Sequence, residues 1–191
     1  MTATHTFALA ARVATALALC AVVAAHAEKV KLTTSAGDIV IEVDAAKAPK
    51  TVDNFLSYVK SGHYDGTVFH RVISSFMIQG GGMTADLKEK PTRAPIPLES
   101  KNGLSNVRGS VSMARTSDPN SATSQFFINV KDNARLDAVN SPDGNGYAVF
   151  GHVVSGMDVV DKIRDVPTGT IGPYNDVPKT PVTILKATLE K

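Results

Sequence analysis

Hydrophobic and polar residues alternate with a period of two along two neighbouring stretches, which is typical of half-buried β-strands. In residues 28–34 the apolar side chains of Val30 and Leu32 alternate with lysines, and residues 37–43 repeat the alternation. The residues between them, 35–38, read Ser-Ala-Gly-Asp and have the composition of a tight turn. The pattern therefore predicts a hairpin.

Two other stretches have the period of a helix. Residues 49–61 begin with a proline, which suits a first helical turn, and Gly62 follows them. The apolar residues of this stretch recur at i, i+3, i+4 and i+7, and they are Val52, Phe55, Leu56 and Val59. A second helix is expected over residues 156–164. Its apolar face comprises Met157, Val160 and Ile163.

The stretch Thr67–Gly82 is rich in large apolar residues, contains Arg71, and ends on Gln79 followed by three glycines. It predicts a strand that ends where the backbone must turn or come close to a ligand. An arginine in such a strand either reaches water or is held at a cavity, because burying its charge without a partner is costly. The stretch alone leaves both interpretations open.

The remaining chain alternates between strand and loop patterns. Loops rich in proline, glycine or polar residues are expected at 83–107, 115–123, 133–146 and 165–180. Strands are expected at 109–114, 124–130, 147–154 and 181–189. The total is about eight strands and two helices without βαβ alternation. The fold class is therefore mainly β, a closed eight-stranded antiparallel barrel capped by two α-helices, because closure removes exposed sheet edges.

The first 27 residues have the features of a secretory signal peptide. Arg12 is their only Lys, Arg, Asp or Glu, an apolar run follows from Val13 to Ala25, and Ala25-His26-Ala27 offers a cleavage site. A lipoprotein cut before Cys20 is the rival interpretation, but the preceding Leu19 is large for such a site. We expect residues 1–27 to be a signal, residues 28–191 to be one domain, and the mature protein to lie in the periplasm.

The composition argues against some classes of binding partner. The chain has 20 Lys and Arg against 18 Asp and Glu, and no tryptophan, so it lacks the basic stripe of nucleic-acid binding proteins. No apolar run after the signal is long enough for a transmembrane helix, so no membrane association is expected after cleavage. The single cysteine, Cys20, would leave with the signal, and apolar packing rather than disulfides must then hold the domain together.

Common catalytic motifs are missing from the sequence. It has no Gly-x-Ser-x-Gly elbow and no phosphate-binding loop motif. His63, His70 and His152 lack the close spacing of metal ligands and are expected to be structural or surface residues, so no metal site is predicted. A hydrolase with a nucleophile and a base is therefore unsupported.

Several separate motifs resemble one family. Phe69-His70-Arg71-Val72-Ile73 and Phe76-Met77-Ile78-Gln79-Gly80-Gly81 are similar to the cyclophilin family of peptidyl-prolyl cis-trans isomerases. The similarity continues through residues 109–114, 124–128 and 149–151, in the family's order. Met-Ala-Arg-Thr at 113–116 and Gly-Pro-Tyr at 172–174 look most like the periplasmic bacterial members.

The resemblance implies an eight-stranded barrel with two helices and a substrate groove on its outer face. It implies that Arg71 is the catalytic arginine and that Gln79 orients Arg71 and the substrate. The proline ring would occupy a pocket formed by Phe76, Met77, Phe127 and Leu136. The groove for the flanking peptide would be lined by Ala114, Arg115 and Gln125, with Tyr147 beside the proline pocket. The reaction requires no cofactor, and the expected partners are proline-containing unfolded or partly folded polypeptides.

One residue departs from the family pattern. Many members have an aromatic residue, often tryptophan, before the Leu-Asp that matches Leu136-Asp137, and here it is Arg135. Since that aromatic contributes to cyclosporin binding, cyclosporin is expected to bind weakly. Three hypotheses follow: an isomerase for exported proteins, a proline-peptide-binding chaperone without turnover, and a structural barrel, which would not need Arg71 beside a Phe/Met pocket. The isomerase, as a monomer, is the leading one.

Overall fold

The computed structural model describes residues 28–190, so the predicted signal peptide lies outside the described residues. Within that range, no helix has the length and apolar character needed to cross a bilayer. The strands are β1 (Lys29–Thr34), β2 (Gly37–Val43), β3 (Thr67–Val68), β4 (Arg71–Ile73), β5 (Met77–Gly80), β6 (Ser110–Met113), β7 (Phe126–Asn129), β8 (Val149–Ser155), β9 (Thr168–Ile171), β10 (Tyr174–Pro178) and β11 (Thr183–Glu190). The helices are α1 (Pro49–Lys60) and α2 (Met157–Arg164), with a 3₁₀ turn at Ala134–Leu136.

The predicted hairpin and both helices are confirmed. Strands β1 and β2 pair in antiparallel register through a turn that joins Thr34 to Gly37. Pro49 opens α1, and the carboxylate of Glu99 accepts hydrogen bonds from the backbone N–H groups of Lys50 and Thr51. This remote carboxylate satisfies helix N–H groups that the cap residue Ala48 cannot.

The core lies inside the curled sheet and is capped by the helices. The inward residues of the first hairpin, including Val30, Leu32, Ile39 and Ile41, are fully buried. Aromatic rings fill the centre: Phe55 of α1 packs against three of them, with ring centroids 5.0–5.6 Å apart, and they are Tyr64, Phe126 and Phe150. The alternating faces of the first hairpin and the aromatic rings around Phe55 therefore belong to one contiguous core.

The predicted barrel is correct in class but wrong in strand count and closure. The antiparallel sheet has nine strands in the order β3-β11-β1-β2-β8-β6-β7-β5-β4. The two strands at its ends, β3 and β4, are consecutive in the chain and separated only by Phe69 and His70. The curled sheet thus stays open between β3 and β4, and the chain itself connects these two edges.

Two stretches account for the difference. The stretch Thr67–Gly82, expected as one strand, forms β3, β4 and β5, because the strand is interrupted at Phe69-His70 and the chain turns at residues 74–76. The stretch 165–180, expected as an irregular loop, contains the two-stranded ribbon of β9 and β10. The three prolines and two glycines of this stretch are typical of a loop, so the sequence pattern does not predict the ribbon. Its strands are also short and form a separate sheet.

Candidate active site

Three adjacent strands place a row of side chains on the outer face of the sheet. Arg71 of β4 is paired with Gln79 of β5, and Gln79 is paired with Phe127 of β7. Residues that face each other across antiparallel strands share one side of the sheet. Their neighbours Ile78 and Phe126 point into the core, as the period of two requires.

The row borders a second apolar cluster that is separate from the core. Met77, Phe127 and Leu136 are its buried members, and Phe76, Ala114 and Tyr147 pack against them. A cavity of about 160 Å³ opens beside this cluster. Nine of the ten residues predicted for the site line it: Arg71, Phe76, Met77, Gln79, Ala114, Arg115, Phe127, Leu136 and Tyr147.

The tenth predicted residue, Gln125, does not line the cavity but contacts Gln79, which does. The Nε2 of Gln79 donates a hydrogen bond of 2.9 Å to the Oε1 of Gln125. A Cβ on Gly82 would overlap the Gln125 side chain. The last glycine of the run thus makes room for the partner of Gln79, which is a close approach within the protein.

Arg71 is partly exposed, and a carboxylate from a different part of the chain lies near its guanidinium. Its side chain is 46% exposed, and its Nε lies 3.8 Å from the Oδ2 of Asp176 in β10. Asp176 has a φ of +60°, a left-handed conformation that aspartate tolerates better than most residues. The sequence predicts residues 165–180 only as a loop, and no local pattern reveals this neighbour, because it lies in a different part of the chain.

The side chain of Arg115 lines the cavity, but its guanidinium binds groups of the protein itself. That side chain is 4% exposed and forms an ion pair with Asp143. Its Nε donates to the Gly146 carbonyl at 2.9 Å, and its guanidinium carbon lies 4.7 Å from the centre of the Tyr147 ring. Arg115 therefore fixes the 137–147 loop, whose last ring packs edge-on against Phe127 at 5.6 Å.

Asp143 is organised by several donors in the same loop. The Ser141 hydroxyl, the Asn145 backbone N–H and the Arg115 guanidinium hold the pKa of its carboxyl well below the usual range. The carboxylate therefore stays ionised through the neutral and mildly acidic range. The loop beside the cavity is consequently held by charge as well as by packing.

Buried amides support the opposite wall of the cavity. The Nδ2 of Asn133 donates to the Phe76 carbonyl at 2.8 Å and to the Oδ1 of Asn129 at 2.7 Å. Asn129 in turn donates to Asn106, whose backbone and side-chain N–H groups both donate to Asp137. This network, which the sequence interpretation missed, joins the Phe76 turn to the segment that carries Leu136. Scattered asparagines gave no signal for it.

Arg135 covers the outer edge of the cluster. Its guanidinium carbon lies 5.2 Å from the centre of the Phe76 ring, within the range of a cation–π contact. Among the described residues, no group of three or more His, Cys, Asp or Glu side chains is arranged to hold a metal ion. The cavity therefore offers a guanidinium, an amide and apolar walls.

Comparison with known proteins identifies one family. The family model "Cyclophilin type peptidyl-prolyl cis-trans isomerase/CLD" matches residues 29–189. The chain is 62% identical over 159 residues to the peptidyl-prolyl cis-trans isomerase cyp18 of Streptomyces antibioticus, covering 83% of this chain and 96% of the relative. It is 54% identical over 159 residues to peptidyl-prolyl cis-trans isomerase B of Escherichia coli, covering 83% and 97%.

Solved structures show the same fold. A cyclophilin-type isomerase of Cryptosporidium parvum, crystallised in the presence of the dipeptide Ala-Pro, has a TM-score of 0.70 and 26% identity, covering 85% of this chain and 99% of that one. With family model, sequence relatives and fold in agreement, the chain belongs to the cyclophilin-type peptidyl-prolyl cis-trans isomerases.

Proposed function

We propose that this isomerase accelerates X-Pro isomerisation during the folding of exported proteins. The cavity beside Arg71 supports the proposal, because the partly exposed Arg71 guanidinium and a compact apolar wall meet there. Residues 1–27 act in this proposal as a signal that is removed after Ala27, which delivers the domain to the periplasm. The substrates are proline-containing unfolded or partly folded polypeptides.

Peptidyl-prolyl isomerisation requires no covalent chemistry from the enzyme. Rotation about a peptide C–N bond faces a barrier of about 18–20 kcal/mol because resonance is lost in the twisted state. No bond breaks, so the enzyme needs neither a nucleophile nor a covalent intermediate. It must bind the twisted amide more tightly than either planar form.

Arg71 and the apolar wall each contribute to binding of the twisted amide. In the twisted state the proline nitrogen carries a localised lone pair, and the Arg71 guanidinium donates a hydrogen bond to it. Gln79, held by Gln125, keeps the guanidinium and the substrate in register. Phe76, Met77, Phe127 and Leu136 hold the ring by shape and exclude water, which strengthens the hydrogen bond.

The energies show why both parts are needed. A 10⁵-fold acceleration needs about 7 kcal/mol of selective stabilisation. One charge-assisted hydrogen bond contributes about 1.5–3 kcal/mol. The remainder must come from strain, desolvation and positioning in the pocket, so Arg71 supplies a large part of the rate without supplying all of it.

Export and folding are tested together. The full chain is expressed in a Gram-negative host beside a version that lacks residues 2–27. We expect the periplasmic fraction to contain a protein that begins at Glu28, and the shortened version to remain in the cytoplasm. Purified mature protein should accelerate a proline-limited refolding phase of an exported substrate at substoichiometric amounts. An uncleaved N-terminus would overturn the export step, and binding without acceleration would indicate a chaperone.

Asp176 is expected to position Arg71. Replacing Asp176 with asparagine removes the charge that faces Nε, and kcat for an X-Pro peptide should fall about two- to fivefold with KM unchanged, the range of an exposed ion pair. The control, Asp53→Asn, removes an exposed carboxylate on α1 and should change neither constant. In an Arg71→Ala background, Asp176→Asn should have no further effect. An equal loss in that background would contradict a role through Arg71.

Cyclosporin sensitivity tests the position of Arg135. Replacing Arg135 with tryptophan should tighten cyclosporin binding about tenfold, because an apolar ring replaces the guanidinium that lies over Phe76 and adds buried area. Isothermal titration calorimetry of wild type, Arg135→Trp and the remote Arg93→Trp measures the effect. Unchanged affinity in Arg135→Trp would place the drug's aromatic contact elsewhere.

A further inference from the structure

A second concave surface adjoins the proline cavity, which is the cavity beside Arg71, and Phe76 lies between the two. It encloses about 600 Å³, and Arg71 and Phe76 line both spaces. Its other wall comes from the segment that follows β7 and continues into the 3₁₀ turn, including Lys131 and Arg135. A residue next to a proline bound in the cavity is within reach of this surface, because the two spaces share Arg71 and Phe76 and consecutive Cα atoms are only about 3.8 Å apart.

The surface is basic. Lys131 and Arg135 are exposed, and neither forms an ion pair with a carboxylate among residues 28–190. The one carboxylate of the lining, Asp132, uses its Oδ1 to accept the backbone N–H of Arg108 at 2.8 Å. Asp176 contacts Arg71 from the other side at 3.8 Å. Three cations therefore outnumber the carboxylates around the surface.

One of these cations is held in place. Arg135 lies over the Phe76 ring at 5.2 Å, and its neighbour Leu136 is buried in the wall of the proline cavity. The buried Asn133 ties the same segment to the Phe76 carbonyl. The position of the Arg135 charge is thus coupled to the pocket, which reduces the entropy lost when a ligand binds.

We propose that this surface is a subsite that selects an acidic residue next to the substrate proline. The proposal rests on the proposed function, because it requires the proline to occupy the cavity beside Arg71. A glutamate or aspartate side chain there pairs with Arg135 and Lys131. Two exposed ion pairs correspond to about a three- to tenfold preference over a neutral residue. Salt weakens that preference, since the charges are exposed.

The test uses two peptide series in an X-Pro isomerisation assay. One series varies the residue before the proline and the other varies the residue after it, each with Glu, Gln or Lys. For wild type at low salt we expect kcat/KM for Glu to exceed that for Gln about three- to tenfold in one of the series, with Lys the poorest. The preference should shrink at 0.5 M salt, roughly as screening predicts.

Matched variants assign the preference to the surface. In Lys131→Gln/Arg135→Gln the ratio of Glu to Gln should fall to about one, whereas Lys186→Gln, an exposed lysine on β11, should keep the wild-type ratio. Equal rates for Glu and Gln in both series, or a preference that survives in the double variant, would overturn the subsite while turnover itself upholds the proposed function. Absence of turnover of every peptide would overturn both.

Discussion

Replacing Arg71 with alanine should lower kcat/KM for an X-Pro peptide by about 100-fold. The guanidinium is proposed to donate a hydrogen bond that forms fully only when the amide is twisted, and about 2.7 kcal/mol for such a bond corresponds to that factor. Because the interaction is absent from the planar ground states, the loss should appear in kcat and leave KM nearly unchanged. A protease-free cis-to-trans assay, monitored by NMR exchange or absorbance, measures both constants.

Three comparisons make the result decisive. Arg71→Lys keeps a cation but loses the planar fork of donors, so its rate should lie between wild type and Arg71→Ala. Arg93→Ala removes an exposed arginine that lies over Tyr58 and does not line the cavity, and this variant should retain full activity. Circular dichroism should show an unchanged fold in all three variants, since the Arg71 side chain is 46% exposed. Equal rates in wild type and Arg71→Ala would overturn the proposed role.

Local pattern was sufficient to predict the elements that form the core. The alternation around Val30 and Ile39 and the helical spacing around Phe55 depend on which side of one element faces the core, and each element carries that information itself. The interruption at Phe69-His70 has no local signal, because both residues are as apolar or as buried as strand residues. The turn at residues 74–76 contains two serines, a weaker turn signal than glycine or proline.

The candidate site was predicted through the family motifs, and its supporting contacts were not. Motif positions named Arg71, Gln79 and Phe127, but only the pairing of β4, β5 and β7 shows that they form one row. Arg115 and Asp176 owe their roles to contacts with distant parts of the chain. An arginine that binds a loop of the same protein cannot be distinguished in the sequence from an arginine that binds a substrate peptide. The two differ only in the groups that the fold places near each guanidinium.

His70, the neighbour of Arg71, is expected to make the domain sensitive to mild acid. The residue is 6% exposed, and its Nδ1 is buried with no hydrogen-bond partner among the described residues. Burial lowers the pKa of the imidazole from 6.5 to about 4, and the charge of Arg71 acts in the same direction. The unfolded chain therefore binds a proton at this residue between pH 6.5 and 4 while the folded chain does not. The free energy of unfolding should fall by about 3 kcal/mol from pH 7 to pH 4.

Denaturant unfolding at pH 7 and pH 4 isolates this contribution. His70→Gln should lose about 3 kcal/mol of the pH dependence, whereas His152→Gln, which replaces an imidazole that is 58% exposed, should retain it. Burial also lowers the pKa of His63, so a smaller dependence should persist in His70→Gln. Carboxylates such as Asp161, whose pKa is lowered by Arg108, begin to lose their stabilising effect near about pH 5. His70→Gln and His152→Gln share that loss, so it cancels when the two variants are compared. If His70→Gln does not fold, NMR titration of the wild-type imidazole replaces it, and a midpoint at or above 6.5 would refute the buried neutral histidine.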